Sequence, residues 1–290
     1  MPLFLQVFQE DSIMSGYRHP RSSATDCVLS LFQMTNETLN IWTHFLPTWY
    51  FLWKLLSVVL LYSAWRDSYT WPLLIYLISI CLYPLASTCA HTFSSMSARA
   101  RHIGFFWDYG ALSFYSLGSA VAYSHYAFPD RWIDSPFHRY FLPIAMGNSI
   151  LCTGLACSSR FPESPRPRFS NALRMLAFAY PYLFDSIPLF YRVRPSRCLC
   201  LRISTNVLHV YHIGLAFLTG FLFATHLPER LARAASTTSV INPLHFASFG
   251  HFQEEYLFIR FSSEWNVLPM HGYISGFPRR RKRREASELY

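Results

Sequence analysis

Six stretches of this chain are each long and apolar enough to cross a hydrocarbon layer, and no other feature restricts the fold as strongly. A layer about 30 Å thick takes about 20 mostly apolar residues in a helix. Such runs lie at Ile41 to Trp65, Trp71 to Phe93, Ile103 to Phe128, Tyr140 to Cys157, Leu173 to Tyr191 and Val207 to Leu227. They predict an all-α fold, a polytopic membrane helix bundle of six transmembrane helices. Trp42, Trp65, Trp71, Tyr140 and Tyr191 stand at the span ends, where aromatic belts meet the interface. Pro47, Pro84, Pro181 and Pro188 fall inside spans, where neighbouring helices satisfy the carbonyls they free.

Composition supports the same reading. Hydrophobic residues make up 52% of the chain, aromatics 18% and charged residues 14%, against roughly a quarter charged in a soluble domain. That excludes a disordered regulator, a collagen-like fibre and a small disulfide-stapled domain. Seven cysteines are scattered without disulfide-framework or zinc-finger spacing. The net charge is +9, but six of the 25 basic residues form the single run Arg279 to Arg284, so nucleic acid is not an expected partner. Three regions follow: residues 1–40 as a cytoplasmic N-terminal region, 41–227 as the six-helix bundle, and 228–290 as a soluble or interfacial tail. Met1 to Gln9 has no basic flank or cleavage site, so no cleaved signal peptide is expected. Arg18, Arg21, Arg99, Arg101, Arg160, Arg166, Arg168, Arg230 and Arg233 favour a cytoplasmic N-terminus, while Arg192, Arg194, Arg197 and Arg202 oppose it.

An ionisable group inside a span costs about 2.5–3.5 kcal/mol on insertion scales, so each needs a partner or a cavity. Glu37 and His44 stand at the entry to the first helix, Lys54 within it, Ser87 and His91 on the second, Asp108 on the third, Asp185 on the fifth, and His209 and His212 on the sixth. Ser87 and His91 are four apart and share a helix face. A short loop brings Asp108 to the same depth, so Ser87, His91 and Asp108 converge near the inner leaflet with Glu37 and His44 close by. Interhelical hydrogen bonding is an ordinary use for such groups. A histidine and a carboxylate also ligate zinc, but a zinc site normally takes three protein ligands. Asp185 lies at the depth of His209 and His212 and is expected to pair with them. Lys54 is expected to face the bundle or to snorkel.

Several motifs stand in order at the helix ends: Ser15 to Arg18 (SGYR), Gln33 to His44 (QMTNETLNIWTH), Ser87 to His91 (STCAH), Phe106 to Gly110 (FWDYG), Pro181 to Asp185 (PYLFD) and Pro228 to Arg230 (PER). Together, over about residues 10 to 232, they resemble the progestin and adipoQ receptor family. The resemblance implies a steroid membrane receptor with its N-terminus inside, a progesterone-like ligand, rapid non-nuclear signalling and a part in oocyte maturation. It also implies a seven-helix pattern related to the alkaline ceramidases, with a buried Zn²⁺ held by a histidine of helix two and two histidines of an H-x-x-x-H on helix seven. By position His91 is the zinc ligand, Ser87 its neighbour and Asp108 the group on the metal-bound water. Ser87 and Asp108 are catalytic only under the alternative reading, a zinc-dependent ceramidase-like lipid amide hydrolase.

After about Ala232 the resemblance is expected to stop. The seventh span is missing and no two histidines in the chain stand four apart. His226 ends helix six at the correct depth and His245 and His251 lie in the tail, but they are poor substitutes, because a mobile tail does not preorganise a metal site. The expectation is therefore that Zn²⁺ is not stably bound, and that the chain is a truncated form of the receptor, with a G protein or the full-length receptor as partner. The plasma membrane is the expected location, with retention in the endoplasmic reticulum for this form, to which the 279–284 run would contribute. Two further patterns, Asp130-Arg131-Trp132 and Asn242 to Phe246, imitate heptahelical-receptor motifs but fall in loop and tail. Asn36-Glu37-Thr38 fits the glycosylation pattern but lies too close to the membrane on the cytoplasmic side.

Overall fold

Serines start three of the helices. Ser23 caps α1 (Ala24–Leu29) in a reciprocal box with Asp26, Ser97 accepts from the Ala100 amide to open α4 (Ala98–Ala122), and Ser135 accepts from the His138 amide to open α5 (Pro136–Ser158). The remaining helices are α2 (Thr38–Leu61), α3 (Trp71–Thr92), α6 (Pro167–Asp185) and the short α7 (Ile187–Val193). The computed structural model describes residues 16–61, 70–160 and 167–193, together with residues 213, 214, 217, 218 and 221. Among the described residues all regular structure is helical.

Helices that follow one another in the chain pack side by side, and α4 also touches α6. The most buried helix is α3: its Leu73, Tyr76, Leu77 and Ile80 sit in a core with Phe51 and Val58 of α2, Tyr115 and Ala122 of α4, and Leu189 of α7. Gly118 lets α4 approach α3 closely, since a methyl group there would stand 2.2 Å from Ser79 Oγ. Large apolar side chains point outward from each long helix, including Trp53, Trp107, Ile150 and Leu176. An extended apolar exterior of this kind suits hydrocarbon rather than water.

The helices begin earlier than the apolar runs, at Thr38, Ala98, Pro136 and Pro167. Their first turns are polar and hydropathy does not see them. The third run is helical only to Ala122; a π-helical turn, Tyr123–Ala127, follows, and Phe128 is extended ahead of Pro129. The fifth is interrupted at Ser186, where Pro188 has no N–H to continue the ladder. By length and composition α3 and α5 are the two described helices able to cross a membrane; α2, α4 and α6 carry internal polar residues such as Lys54, Asp108 and Arg174. Of the sixth run, the five described residues are helical and Ile213 packs against the core around Leu189. The rest of that run, with His226, and the tail 228–290, with His245, His251, Asn242 to Phe246 and the basic run, lie outside the described residues.

Candidate functional site

Two polar helix faces meet at the end of the bundle where α3 finishes. Glu37, Asn40 and His44 are spaced by three and four residues along the start of α2. Tyr83, Ser87 and His91 are spaced by four along α3, and helical periodicity makes each set one face. His91 Nδ1–H donates to Glu37 Oε2 at 2.8 Å, and Asn40 Nδ2 donates to the same oxygen at 2.9 Å. His44 Nδ1 lies 2.7 Å from the Asn40 carbonyl and its Nε2 lies 3.3 Å from the Tyr83 hydroxyl. The His44 and His91 rings stack at 6.3 Å, and Phe105 meets His91 edge-on at 5.3 Å. Glu37, His44, Ser87 and His91 are each buried.

From α4, Asp108 joins this cluster by accepting a hydrogen bond from Ser87, close enough to His91 and Arg160 to feel their charge. Its Oδ1 is buried and has no hydrogen-bond partner among the described residues. The structure thus brings Ser87, His91, Asp108 and Glu37 together at one level, as their spacing leads one to expect, with His44 on the same network.

A second tier holds the site from below. Arg18 donates through Nη1 to the Thr92 carbonyl and through Nη2 to the His91 carbonyl, both at 2.5 Å, and through Nη2 to Ser94 Oγ at 2.8 Å. These are the free carbonyls at the end of α3, where a cation also meets the negative end of the helix dipole. Burial pushes the Arg18 pKa down, with the Glu37 charge opposing. Arg21 N–H donates to the Ser95 carbonyl, and Cys27 Sγ lies 3.3 Å from Ser95 Oγ. The SGYR motif had no role from sequence alone; its arginine positions the backbone that carries His91. A capping arginine is visible only once the helix end is known.

The other intramembrane groups fall elsewhere. Asp185 accepts from Ser116 Oγ of α4 at 2.5 Å, and its Oδ1 is buried without a partner among the described residues. His209 and His212, its expected partners, lie outside the described residues. Lys54 is half-buried, with Nζ 5.3 Å from the Trp53 ring and 5.8 Å from Tyr50 on its own helix. Asn36 is buried, which leaves no room for a glycan on its side chain, and its backbone N–H donates to the Gly16 carbonyl. Asp130–Trp132 forms a 3-10 turn. On the outer side, Leu82 and Ala86 of α3 with Phe106, Trp107, Gly110 and Phe114 of α4 line an apolar groove of about 470 Å³.

As a metal centre the cluster is half of one. With Nδ1 bonded to a carboxylate, His91 has the hydrogen bond usual for a ligating histidine, which would coordinate through Nε2. Among the described residues, however, no three His, Cys, Asp or Glu side chains come together as a ligand set.

The arrangement, a polar site at one end of an apolar helical bundle, carries the ordered motifs that comparison with known proteins picks out. Residues 32–247 match the Haemolysin-III related family. The chain belongs to this family, that of the progestin and adipoQ receptors. It is accordingly a membrane protein. The family match runs past Ala232, where the resemblance was expected to end. The chain is 62% identical to membrane progestin receptor gamma-B of Danio rerio over 245 residues, covering 78% of this chain and 70% of that protein. It is 60% identical to membrane progestin receptor delta of Homo sapiens, covering 78% and 67%, and 53% identical to human membrane progestin receptor gamma, covering 78% and 69%.

Proposed function

We propose that this chain is a membrane receptor for a progesterone-like steroid. The observation that carries the reading is its 53–62% identity with gamma and delta members named membrane progestin receptors. The bundle has six spans, with the N-terminus in the cytoplasm, and signals rapidly through a membrane partner such as a G protein or a full-length receptor. The apolar groove beside Trp107 and Gly110 offers a place for a flat, apolar ligand, since binding sites for such molecules are mostly apolar with few polar groups. Saturable binding of radiolabelled progesterone to membranes from expressing cells, absent from untransfected membranes, tests the reading. A methyl group at Gly110 meets nothing within 4 Å, so Gly110→Ala narrows the groove without a clash. It should weaken binding while leaving expression unchanged; no saturable binding by the unaltered chain would remove the receptor assignment.

The convergence of Ser87, His91 and Asp108 favours a second reading, a zinc-dependent ceramidase-like lipid amide hydrolase, in which Asp108 would orient the attacking water. Zinc, when bound at such a site, polarises an amide carbonyl and acidifies its water. We infer that this chain does not hold zinc stably, because the H-x-x-x-H pair is absent from its sequence. Metal analysis of purified protein decides: stoichiometric zinc that disappears in His91→Ala would overturn the inference and revive the hydrolase.

A further inference from the structure

At the end of the bundle where α3 finishes and α4 begins, the described residues include Arg99, Arg101, Arg160 and Arg174. In the sequence, residues 161–168 add Arg166 and Arg168 and one acid, Glu163. Packing gathers three of these around two aromatic rings. The Arg160 guanidinium carbon lies 3.7 Å from the centre of the Phe105 ring, and that of Arg101 lies 5.3 Å from it. Arg160 Nε–H donates to the Tyr109 hydroxyl oxygen at 2.7 Å, and Arg174 Nη1 donates to the same oxygen at 3.4 Å. Two guanidiniums thus share one neutral acceptor.

A guanidinium has five N–H donors. Arg160 spends Nε on Tyr109, and among the described residues its two Nη groups meet no hydrogen-bond acceptor. That leaves the planar fork that matches a phosphate or carboxylate. Asp108 is near enough to feel the Arg160 charge, but among the described residues no hydrogen bond joins the two. Arg160 is only half-buried, so the fork is reachable from outside the bundle. At the helix ends of a membrane protein, the anion held at high local concentration is the headgroup of an acidic lipid.

We propose that Arg160, with Arg101 and Arg174 beside it, forms a headgroup site for an anionic phospholipid at this end of the bundle. The phosphate takes the open Arg160 fork, while Phe105 and Tyr109 hold the guanidinium in place and lower the local dielectric around it. The neighbouring Arg101 and Arg174 add positive charge beside it. Nothing in this depends on steroid binding or on the orientation of the chain, because both leaflets of a reconstituted disc hold the same lipids.

The test uses the full chain in nanodiscs of phosphatidylcholine, with or without phosphatidylserine. Native mass spectrometry counts the lipids retained, and thermal unfolding is followed in the same discs. Phosphatidylserine should be retained in preference to phosphatidylcholine and should raise the unfolding temperature. Arg160→Gln combined with Arg174→Gln should cut that retention about tenfold or more and abolish the thermal shift. Arg131→Gln should change neither: Arg131 stacks 5.7 Å from Tyr191 at the opposite end. Undiminished retention in the double variant overturns the proposal. If that variant does not fold, the unaltered protein decides, since equal retention of both lipids overturns it equally.

Discussion

The two ends of the bundle are built on different principles. At the His91 end, Glu37, Asn40, His44, Ser87, His91, Ser94 and Ser95 are all buried and joined by directional hydrogen bonds. At the Trp132 end the contacts are rings. Phe128 lies 5.2 Å from Phe141 and 4.7 Å from His138, Phe141 lies 5.4 Å from Phe184, and Trp132 lies 4.2 Å from Tyr191. Ring contacts are many, weakly oriented and replaceable by other apolar atoms. Polar contacts in a dry interior are few, and each member relies on another to stay satisfied. A seal can be made either way, but the polar end gathers more hydrogen-bonding side chains in one network.

Removing one member from each end should expose the difference. Glu37→Ala leaves the His91 and Asn40 donors buried without their acceptor and should cost about 3–5 kcal/mol, since each buried donor left unsatisfied costs about 1–3 kcal/mol. Reversible unfolding in mixed micelles measures it. Next in size is Arg18→Gln. Hydrogen bonds to charged groups contribute about 1.5–3 kcal/mol, and the loss falls on the join between the N-terminal segment and α3. Cys27, fully buried against Ser95, should then alkylate about tenfold faster or more, as local opening predicts. Phe141→Leu at the other end should cost less than about 1.5 kcal/mol, because a smaller apolar side chain still fills most of the space. Equal losses for Glu37→Ala and Phe141→Leu would erase the distinction between the ends.

How much of this was legible beforehand depended on whether a partner was local. The face made by Ser87 and His91 follows from a spacing of four, and Tyr83 and Asn40 extend the same rule, although neither was singled out. The depth of Asp108 followed from a short loop. By contrast, Arg18 binds main-chain carbonyls 73 and 74 residues away, and no residue type announces a carbonyl. Arg160 meets Tyr109 across the packed faces of α4 and α5, 51 residues apart, a contact that depends on helix rotation rather than on hydropathy. Ser116 as the partner of Asp185 was hidden for the same reason. Helix starts were read late because serine caps and arginine-bearing first turns look like loop to an apolar window. The family motifs compensated, since they mark helix ends that hydropathy blurs.

The smallest effect expected lies on the exposed rim of the polar end and concerns protons. Asp26 Oδ2 accepts from the Ser23 amide at 3.1 Å and from the Ser23 hydroxyl at 2.7 Å, while the Asp26 amide donates back to Ser23 Oγ at 3.1 Å. These bonds hold the Asp26 carboxyl below the usual carboxylate range, the hydroxyl bond contributing most. A carboxyl depressed in the folded state adds stability that is complete above its unfolded pKa and is lost as pH falls through the folded one. Acidification below the carboxylate range should therefore loosen α1 by weakening its cap, and hydrogen exchange at the Asp26 and Cys27 amides should accelerate relative to the intrinsic rate. Asp26→Asn should remove that pH dependence, because asparagine accepts from Ser23 without titrating. The amides around Phe141, held in an apolar ring cluster, should show no matching change. Protection that falls in step at both places would mean that acid opens the bundle as a whole, and that α1 is not a separately titrating piece of the polar end.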